Sequence, residues 1–300
     1  MAPLFTVFTP TYNRAYILPK LYDSLCAQTK KDFEWLIVDD GSTDETEELV
    51  SSWLSIDNGF KINYIKKENG GKPRAINFGV NLAQGKYFFL MDSDDHLLSE
   101  AMEKMTQWVA EIDGAEDFIG VGAAKGYPDI TYIKGVPPTV NDKGYVDATN
   151  LERCKYNLDA DMCEAYRTDL FRKFPMAEWP GEKFAPEQIA LNEIALAGYK
   201  LRWHSDIIYV CDYLEDGLTK GSRKLEKNNP MGYAMMYDHM LKYGYSFKRS
   251  FFCACQAIAF ALYAKQPKFL LRMNSKWMAA LALPFGAVLS IRRAIQFRKV

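Results

Sequence analysis

The 300-residue sequence predicts an α/β fold built on a parallel sheet, and three observations support this prediction. Strand and helix patterns alternate through the first third of the chain. The strands there are short apolar runs, which is typical of parallel strands buried on both faces. A composition of 48% hydrophobic and 25% charged residues is that of a globular protein, and it excludes a disordered chain.

The alternating elements follow one another between Leu4 and Ile112. Strands are predicted over 4–9, 33–39, 61–66 and 87–91, and helices over 17–28, 43–54, 73–82 and 100–112. Ser42 and Glu45 have the spacing of a capping box, which predicts the start of the second helix at this point. Repeated strand-helix units of this kind imply right-handed crossovers between neighbouring parallel strands.

Beyond residue 113 the alternation loosens. Strands are predicted over 118–123, 162–167 and 207–211 and a helix over 186–197, with connections rich in Gly, Pro and Asp between them. We expect this part to continue the same sheet and to form a second binding surface. The six cysteines include no C-x-x-C pair, and the N-terminus has no basic and apolar leader. Both observations predict a protein that faces the cytosol with reduced thiols.

The net charge of −1 conceals an asymmetry between two parts of the chain. The segment from Lys242 to Val300 has eleven Lys and Arg residues and no acidic residue, so residues 1–241 hold 26 of the 37 basic and all 38 acidic side chains. The near-neutral total argues against a strongly basic nucleic-acid binder. The basic segment predicts contact with an anionic partner.

Three of the predicted strands run into polar or acidic residues. The first leads into Thr9-Pro10-Thr11-Tyr12-Asn13-Arg14, the second into Asp39-Asp40-Gly41-Ser42, and the fourth into Asp92-Ser93-Asp94-Asp95. Ligands of an open parallel sheet bind beyond the carboxyl ends of its strands. Three carboxylates within four residues repel one another unless a cation is present, and their oxygens suit Mg²⁺ or Mn²⁺. Taken alone, the last segment is equally well explained as an Asp-rich turn.

The order of these motifs, with Asn69-Gly70-Gly71-Lys72-Pro73-Arg74 between them, resembles family 2 glycosyltransferases. The resemblance is dense from residue 4 to about 112 and thinner to about 220. It implies the GT-A fold, a mixed, mainly parallel central sheet flanked by helices. It also implies a nucleotide-sugar-binding half at 1–112 and an acceptor-binding half at 113–230. The charge and apolar pattern beyond them predicts a basic amphipathic helical tail at 231–300.

The resemblance assigns roles in binding the donor nucleotide. Tyr12 would stack on the base and Asp40 would accept a hydrogen bond from it. Asp92 and Asp94 form the Asp-x-Asp pair, while Asp94 and Asp95 would divide ribose contact and metal coordination between them. The further nucleotide-binding residues that it implies are Thr9, Pro10, Arg14, Lys72 and Arg74. A packed turn aromatic and a helix cap are the alternatives for Tyr12 and Asp40.

Sugar transfer with inversion requires a base that deprotonates the acceptor hydroxyl. Family members have it in an acidic motif at a helix start, and Pro186 suits a first helical turn here. The resemblance therefore implies Glu187 as the base and Glu182 as second choice, although a carboxylate at a helix start also stabilises the helix. Gln188 stands where many relatives have Asp, which leaves open a non-catalytic nucleotide-sugar-binding subunit.

Two further segments match a bacterial polysaccharide-type subgroup of the family. Asp161 and Glu164 would shape the sugar or acceptor pocket. Arg223 and Lys224, with the preceding segment 213–219, would form a loop that closes over the diphosphate. Surface loops are the alternative for both. A nucleotidyltransferase is a more distant alternative for the whole chain, because segment 9–14 lacks the glycine-rich phosphate loop of that class.

The apolar stretches 251–264 and 277–291 are shorter than the roughly twenty residues that a spanning helix needs. With Trp277 and the flanking basic residues, they favour anchoring at a membrane surface through residues 250–300. Helices that pack on the catalytic domain or in a homo-oligomer are the alternative.

We therefore predict an inverting, metal-dependent glycosyltransferase, peripheral to the cytoplasmic face of a bacterial membrane. Its donor would be a UDP-sugar, and its acceptor a hydroxyl of a glycan or lipid-linked glycan in cell-surface polysaccharide synthesis.

Overall fold

The computed structural model describes residues 2–212 and 222–298. By their packing, the described residues form two units. The larger unit lies within 1–69, 75–175 and 192–213, and the smaller unit lies within 70–74, 176–191 and 214–300. One sheet continues past residue 112, as expected. The short segment 70–74, from within the predicted nucleotide-sugar-binding half, packs with the second unit.

The sheet lies in the larger unit and has nine strands among the described residues. The strands are β1 (Phe5–Thr11), β2 (Phe33–Asp39), β3 (Lys61–Lys66), β4 (Tyr87–Leu90), β5 (His96–Leu97), β6 (Phe118–Gly126), β7 (Tyr145–Ala148), β8 (Met162–Arg167) and β9 (Lys200–Val210). Their order is β3-β2-β1-β4-β8-β6-β9-β5, with β7 paired to β9. Strands β1 to β4 are parallel, β8 is antiparallel to both of its neighbours, and β6 and β9 are parallel. The predicted mixed, mainly parallel sheet is confirmed.

Ten α-helices lie within the described residues. They are α1 (Leu18–Cys26), α2 (Thr46–Leu54), α3 (Lys72–Leu82), α4 (Ala101–Glu111), α5 (Thr168–Phe171), α6 (Gln188–Leu196), α7 (Ser222–Asn228), α8 (Pro230–His239), α9 (Phe247–Tyr263) and α10 (Lys276–Phe297). Strand β2 is buried along its whole length, and its Trp35 packs near Tyr22 of α1 and Trp53 of α2. Such burial on both faces explains why the parallel strands are continuous apolar runs.

The second helix begins later than predicted. Helix α2 starts at Thr46, and its first residue is held by Asp44, whose carboxylate accepts hydrogen bonds from the Thr46 N–H (3.2 Å) and hydroxyl (2.6 Å). The Ser42 hydroxyl instead accepts the Asn13 N–H at 2.8 Å, across the loops that follow β1 and β2. The predicted capping box of Ser42 and Glu45 is therefore wrong, because a long-range loop contact uses the serine.

The smaller unit contains the predicted C-terminal helical extension. Helices α9 and α10 pack along each other around a core that includes Ala254, Ile258 and Ala282. Gly286 of α10 approaches α9 so closely that a Cβ atom there would lie 2.6 Å from the Ile258 Cγ2. Among the described residues α10 is one helix that is long and apolar enough to cross a membrane, judged by length and composition.

Candidate active site

The polar residues that follow the strands lie at one edge of the sheet in the larger unit. Strand β1 is parallel to both β2 and β4, so their carboxyl ends point the same way. Tyr12, Asp40 and the segment Asp92–Asp95 follow these three ends directly. The sequence-predicted donor residues of this unit are thus gathered at the edge where an open α/β sheet binds its ligands.

Tyr12 has the exposure that a stacking residue requires, since 48% of its surface is accessible. Pro10 beside it is half-buried. Thr9 has a different position, because it is fully buried and its hydroxyl accepts a hydrogen bond from the Trp35 indole N–H at 3.0 Å. Arg14 donates to the Tyr16 hydroxyl at 2.8 Å. The structure therefore favours Tyr12 over the side chain of Thr9 as a ligand contact.

Asp40 is buried and forms an ion pair with Lys67, with 2.7 Å between the Lys67 Nζ and the Asp40 Oδ1. The backbone of Asp40 is fixed by its N–H, which donates to the Thr11 carbonyl at 2.8 Å. A carboxylate has two oxygens, each of which can accept hydrogen bonds. Lys67 was not among the predicted residues, although it directly follows β3 at the same edge.

The acidic segment connects β4 to the short strand β5. The Asp92 N–H donates to the Tyr209 hydroxyl at 3.0 Å. Asp95 is buried, and its Oδ1 accepts the Asp212 N–H at 3.3 Å while its Oδ2 lies 3.6 Å from the Cys211 Sγ. Burial raises the pKa of Asp95 to about 7, with Lys125 opposing and the neighbouring acids reinforcing the shift.

Lys125 of β6 lies against this segment and was missed by the sequence analysis. Its Nζ is 3.8 Å from an Asp92 oxygen, 4.0 Å from an Asp95 oxygen and 4.1 Å from the centre of the Tyr209 ring. Burial alone would lower the pKa of Lys125, but the attraction of these carboxylates outweighs it and raises that pKa. The segment therefore has a built-in positive charge on its buried side.

The residues present fit a divalent cation at Asp94 better than at Asp95. Asp94 is half-buried, whereas Asp95 is buried and one of its oxygens lies 4.0 Å from the Lys125 Nζ. Within 2–212 and 222–298, no three or more His, Cys, Asp or Glu side chains are grouped to surround a metal. A cation here would take its remaining ligands from waters and a diphosphate, as Mg²⁺ commonly does.

Two predicted residues of the acceptor half also lie in the larger unit. Asp161 is exposed and directly precedes β8, whose amino end lies at the same edge of the sheet because β8 is antiparallel to β4. Glu164 lies further along β8 and pairs with Arg153 at 3.5 Å. Of the two, Asp161 has the position of a ligand contact.

The predicted base lies in the smaller unit. Glu187 directly precedes the first residue of α6, and Pro186 lies in the turn before it. The Glu187 Oε1 is 3.0 Å from the Lys72 Nζ, and neither side chain is fully buried. Lys72 thus holds the Glu187 carboxylate at the start of α6.

Glu182 has a structural contact instead. Its carboxylate accepts the backbone N–H groups of Met231 (2.8 Å) and Gly232 (2.9 Å) in the first turn of α8. These N–H groups have no partner within the helix, so Glu182 caps it. Burial raises the pKa of Glu182, although the two hydrogen bonds oppose the shift. The arrangement favours Glu187 over Glu182 as the base.

Arg74 uses its donors within the protein. The guanidinium donates to the carbonyls of Gly70 (2.7 Å), Trp179 (2.8 Å) and Glu182 (2.5 Å), and its Nε lies 3.1 Å from the Glu178 carboxylate. These contacts clamp segment 70–74 to segment 176–191. They favour a structural role for Arg74 over the predicted contact with the nucleotide.

Gly71 completes this clamp. Its φ is +92°, and a Cβ atom there would lie 1.8 Å from the Lys183 carbonyl oxygen. Only glycine fits at this point. Arg223 and Lys224 are exposed on α7, and the predicted closing loop 213–219 lies outside the described residues.

Residues 6–174, more than half of the chain, match the sequence profile of Glycosyl transferase family 2. An uncharacterised glycosyltransferase of Rickettsia prowazekii is 36% identical over 121 residues, which are 40% of this chain and 36% of that protein. TuaG of Bacillus subtilis, named a putative teichuronic acid biosynthesis glycosyltransferase, is 34% identical over 118 residues, 39% of this chain and 46% of that one. The chain thus spans less than half the length of these relatives.

Two solved structures share the fold. Staphylococcus aureus TarS 1–349 in complex with UDP-GlcNAc has a TM-score of 0.63 at 17% identity, over 98% of this chain and 90% of that chain. The mannosyltransferase PcManGT of Pyrobaculum calidifontis, in complex with GDP-Man and Mn²⁺, has a TM-score of 0.56 at 16% identity, over 97% and 88% of the two chains.

Proposed function

Because the chain belongs to glycosyl transferase family 2 and has the GT-A fold, we propose that it transfers a sugar from a nucleotide-diphosphate donor to an acceptor hydroxyl. The observation that carries the proposal is the sheet edge where Tyr12, Asp40 and Asp92–Asp95 follow three parallel strands. An exposed aromatic ring suits a nucleotide base, and a carboxylate suits the N–H group of that base. An acidic turn suits a cation-bound diphosphate.

The donor we propose is a UDP-sugar. Uracil has a flat ring on which Tyr12 can stack. Its ring N–H can donate a hydrogen bond to the Asp40 carboxylate. Lys67 supports this assignment, because its ion pair fixes the position of the Asp40 carboxylate. The structural neighbour TarS, crystallised with UDP-GlcNAc, supports the choice of nucleotide.

In the proposed reaction Glu187 removes the proton from the acceptor hydroxyl. The hydroxyl oxygen attacks the anomeric carbon from the side opposite the diphosphate, the bond between that carbon and the diphosphate oxygen breaks, and the configuration inverts. The proton stays on Glu187 and the electron pair leaves with the nucleoside diphosphate. A divalent cation, Mn²⁺ or Mg²⁺, held by Asp94 would act as a Lewis acid on that leaving group.

For the acceptor we propose a glycan or lipid-linked glycan of a bacterial cell-surface polysaccharide, reached at the cytoplasmic face of the membrane. The name of the relative TuaG supports a polysaccharide role. Asp161 supports a polar sugar pocket, because its exposed carboxylate lies at the same sheet edge as the donor residues. Carboxylates are common hydrogen-bond acceptors for hydroxyl groups.

The test uses the full chain with a panel of UDP-sugars and Mn²⁺. We expect one donor to raise the melting temperature by mass action and to release UDP slowly by hydrolysis. Asp94→Asn should abolish the Mn²⁺-dependent part of both effects. Glu187→Gln should retain donor binding and lower turnover by about 10²- to 10⁴-fold.

Asp113→Asn is the matched control, because Asp113 is an exposed carboxylate of the larger unit that pairs with Lys86. It should leave binding and turnover unchanged. Donor binding without UDP release in the unaltered chain would instead support a non-catalytic nucleotide-sugar-binding subunit. Full turnover in Asp94→Asn would exclude the proposed donor site.

A further inference from the structure

Helix α10 has a continuous exposed apolar stripe. The stripe is formed by Trp277, Leu281, Phe285, Val288, Ile291 and Ile295, whose exposed fractions lie between 46% and 67%. Their spacing of three or four residues puts them on one face of the helix. At 1.5 Å per residue the stripe is about 27 Å long. Ordinary protein surfaces expose single apolar residues rather than a row of this length.

The opposite face of α10 is already packed. Met278, Ala282 and Gly286 are buried against α9, and Arg293 turns inward over the Phe260 ring at 3.4 Å. The inner face of α10 is therefore covered by protein, while its outer face is apolar and exposed. A helix fixed to protein along one side presents only its other side to a new partner.

Basic side chains surround the stripe. Lys276 precedes it and Arg292 and Arg298 lie at its end, all three exposed. The 3-10 turn at Pro267–Arg272 adds exposed Lys268 and Arg272, together with Leu271, which is 76% exposed. The segment from Lys242 to Val300 has no acidic residue to neutralise them.

We propose that the stripe docks onto an anionic phospholipid surface, with α10 lying in the plane of the membrane rather than crossing it. Apolar side chains enter the acyl boundary, the basic residues contact headgroup phosphates, and Trp277 lies at the level where indole rings concentrate. The proposal concerns a surface of the smaller unit and is independent of the proposed sugar transfer.

A second copy of the chain is the less favoured occupant. In a twofold dimer the same patch would face itself, so Lys276, Arg292 and Arg298 would meet their own counterparts. No acidic side chain between 242 and 300 would offset that repulsion. A lipid surface with negative charge removes the repulsion and adds attraction for each basic residue near the surface.

The first experiment is flotation of the full chain with phosphatidylcholine vesicles that contain or lack phosphatidylglycerol. We expect binding to the anionic vesicles, weakened by salt. Val288→Asp/Ile291→Asp should lower the partition coefficient more than tenfold, and Arg292→Gln/Arg298→Gln should lower it on the order of 30-fold. Retained binding by both variants would overturn the proposal.

Matched controls separate the surface from general effects. Leu54→Asp/Ile56→Asp adds the same charges to exposed apolar positions of the larger unit, where the exposed fractions are 49% and 54%. Lys30→Gln/Lys143→Gln removes two exposed basic residues of that unit. Both controls should bind vesicles normally. Circular dichroism and donor-induced melting shifts identify any variant that misfolds.

The second experiment measures how deeply each part of α10 enters the lipid bilayer. In a Trp277→Phe background, which keeps the five other tryptophans, one tryptophan is added in turn at position 281, 288 or 295. Its quenching by brominated lipids is the difference between the variant and the background. Equal, shallow depths are expected for a helix in the membrane plane. A steady change of depth along the helix would show a spanning α10, and a vesicle-independent dimer that Val288→Asp/Ile291→Asp dissociates would show a second copy as the occupant. Either result would overturn the proposal.

Discussion

Lys125 places a permanent positive charge behind the carboxylates that are proposed to approach the donor diphosphate. Its ammonium group is within 4.0 Å of both Asp92 and Asp95. A buried charge is tolerated where opposite charges accompany it, and its removal leaves its partners uncompensated. The acidic segment can therefore stay folded before any cation binds.

Replacement of this charge should weaken the fold. We expect Lys125→Met to lower the free energy of unfolding by about 3–5 kcal/mol, because the Asp92 and Asp95 carboxylates lose their buried partner. Urea denaturation measures the change. Lys125→Met/Asp95→Asn should recover part of the loss, and Lys86→Met at an exposed ion pair should cost about 1 kcal/mol or less. An equal loss in both single variants would contradict this account.

His204 gives the fold a pH dependence. The ring stacks on Trp108 with 4.1 Å between ring centres, and its buried Nε2 has no hydrogen-bond partner among the described residues. Burial lowers the pKa of His204 to about 4. The folded state thus holds His204 neutral, whereas the unfolded chain takes up a proton near the ordinary pKa of about 6.5.

The stabilising contribution of neutral His204 is complete above pH 6.5 and is lost as the pH falls towards 4. Between pH 7 and pH 4.5 we expect a loss of about 2–3 kcal/mol from this residue. His204→Phe keeps a ring against Trp108 and cannot titrate. Between pH 7 and pH 4.5, the free energy of unfolding of this variant should therefore fall by about 2–3 kcal/mol less than that of the unaltered chain. Denaturation of both proteins at the two pH values measures the difference, and parallel pH profiles would contradict the assignment.

Tyr12, Asp40 and Asp94 could be proposed from the sequence, because they follow apolar runs and belong to recognisable motifs. Lys67 also follows a strand, but its ion pair with Asp40 depends on β3 lying beside β2. Lys125 was missed because its contacts depend on which strands become neighbours in the sheet. The Arg74 contacts could not be predicted either. The carbonyls that accept its hydrogen bonds include those of Trp179 and Glu182, more than 100 residues away in the chain.

At the scale of the element, periodicity predicted most strands and helices of the first third within a few residues. Two strands were missed: β5 has only two residues, and β7 pairs with β9 across more than 50 residues of chain. The third predicted strand of the second half is also longer than expected, because β9 starts at Lys200. Such elements depend on partner strands rather than on an apolar pattern of their own.

The contact of α9 with α10 depends on Gly286. We expect Gly286→Val to lower the free energy of unfolding by about 1–3 kcal/mol, because a side chain there must displace Ile258 or separate the helices. Thermal unfolding followed by circular dichroism measures the change. Ala280→Val, at an exposed position of the same helix, adds a valine without a packing clash and should cost about 0.5 kcal/mol through helix propensity. Gly286→Val gains helix propensity, so its greater loss reports the packing clash. Equal effects of the two changes would argue against close helix packing.

At the scale of the whole molecule, we expect the basic segment 242–300 to bind anionic surfaces independently of the acidic residues 1–241. Exposed basic residues of the C-terminal segment should retain the chain on a cation exchanger at pH 7.5 and low salt, although its net charge is −1. Lys265→Gln/Lys268→Gln/Arg272→Gln should elute at lower salt. Lys30→Gln/Lys61→Gln/Lys143→Gln removes as many exposed charges elsewhere and should elute close to the unaltered chain. Flow-through of the unaltered chain would contradict this prediction.

The clamp around Arg74 has a consequence for synthesis on the ribosome. Segment 70–74 is made more than 100 residues before Glu178 and Glu182, with which it packs. At a translation rate of 5–20 residues per second, the partners of Lys72 and Arg74 are made about 5–20 s after these two residues. The early strands can pair during translation while these few residues stay unfolded within them. The contacts of this segment therefore form late compared with the pairing of the early strands, and a slow ribosome lengthens the time in which the nascent chain exposes this segment to proteases and chaperones.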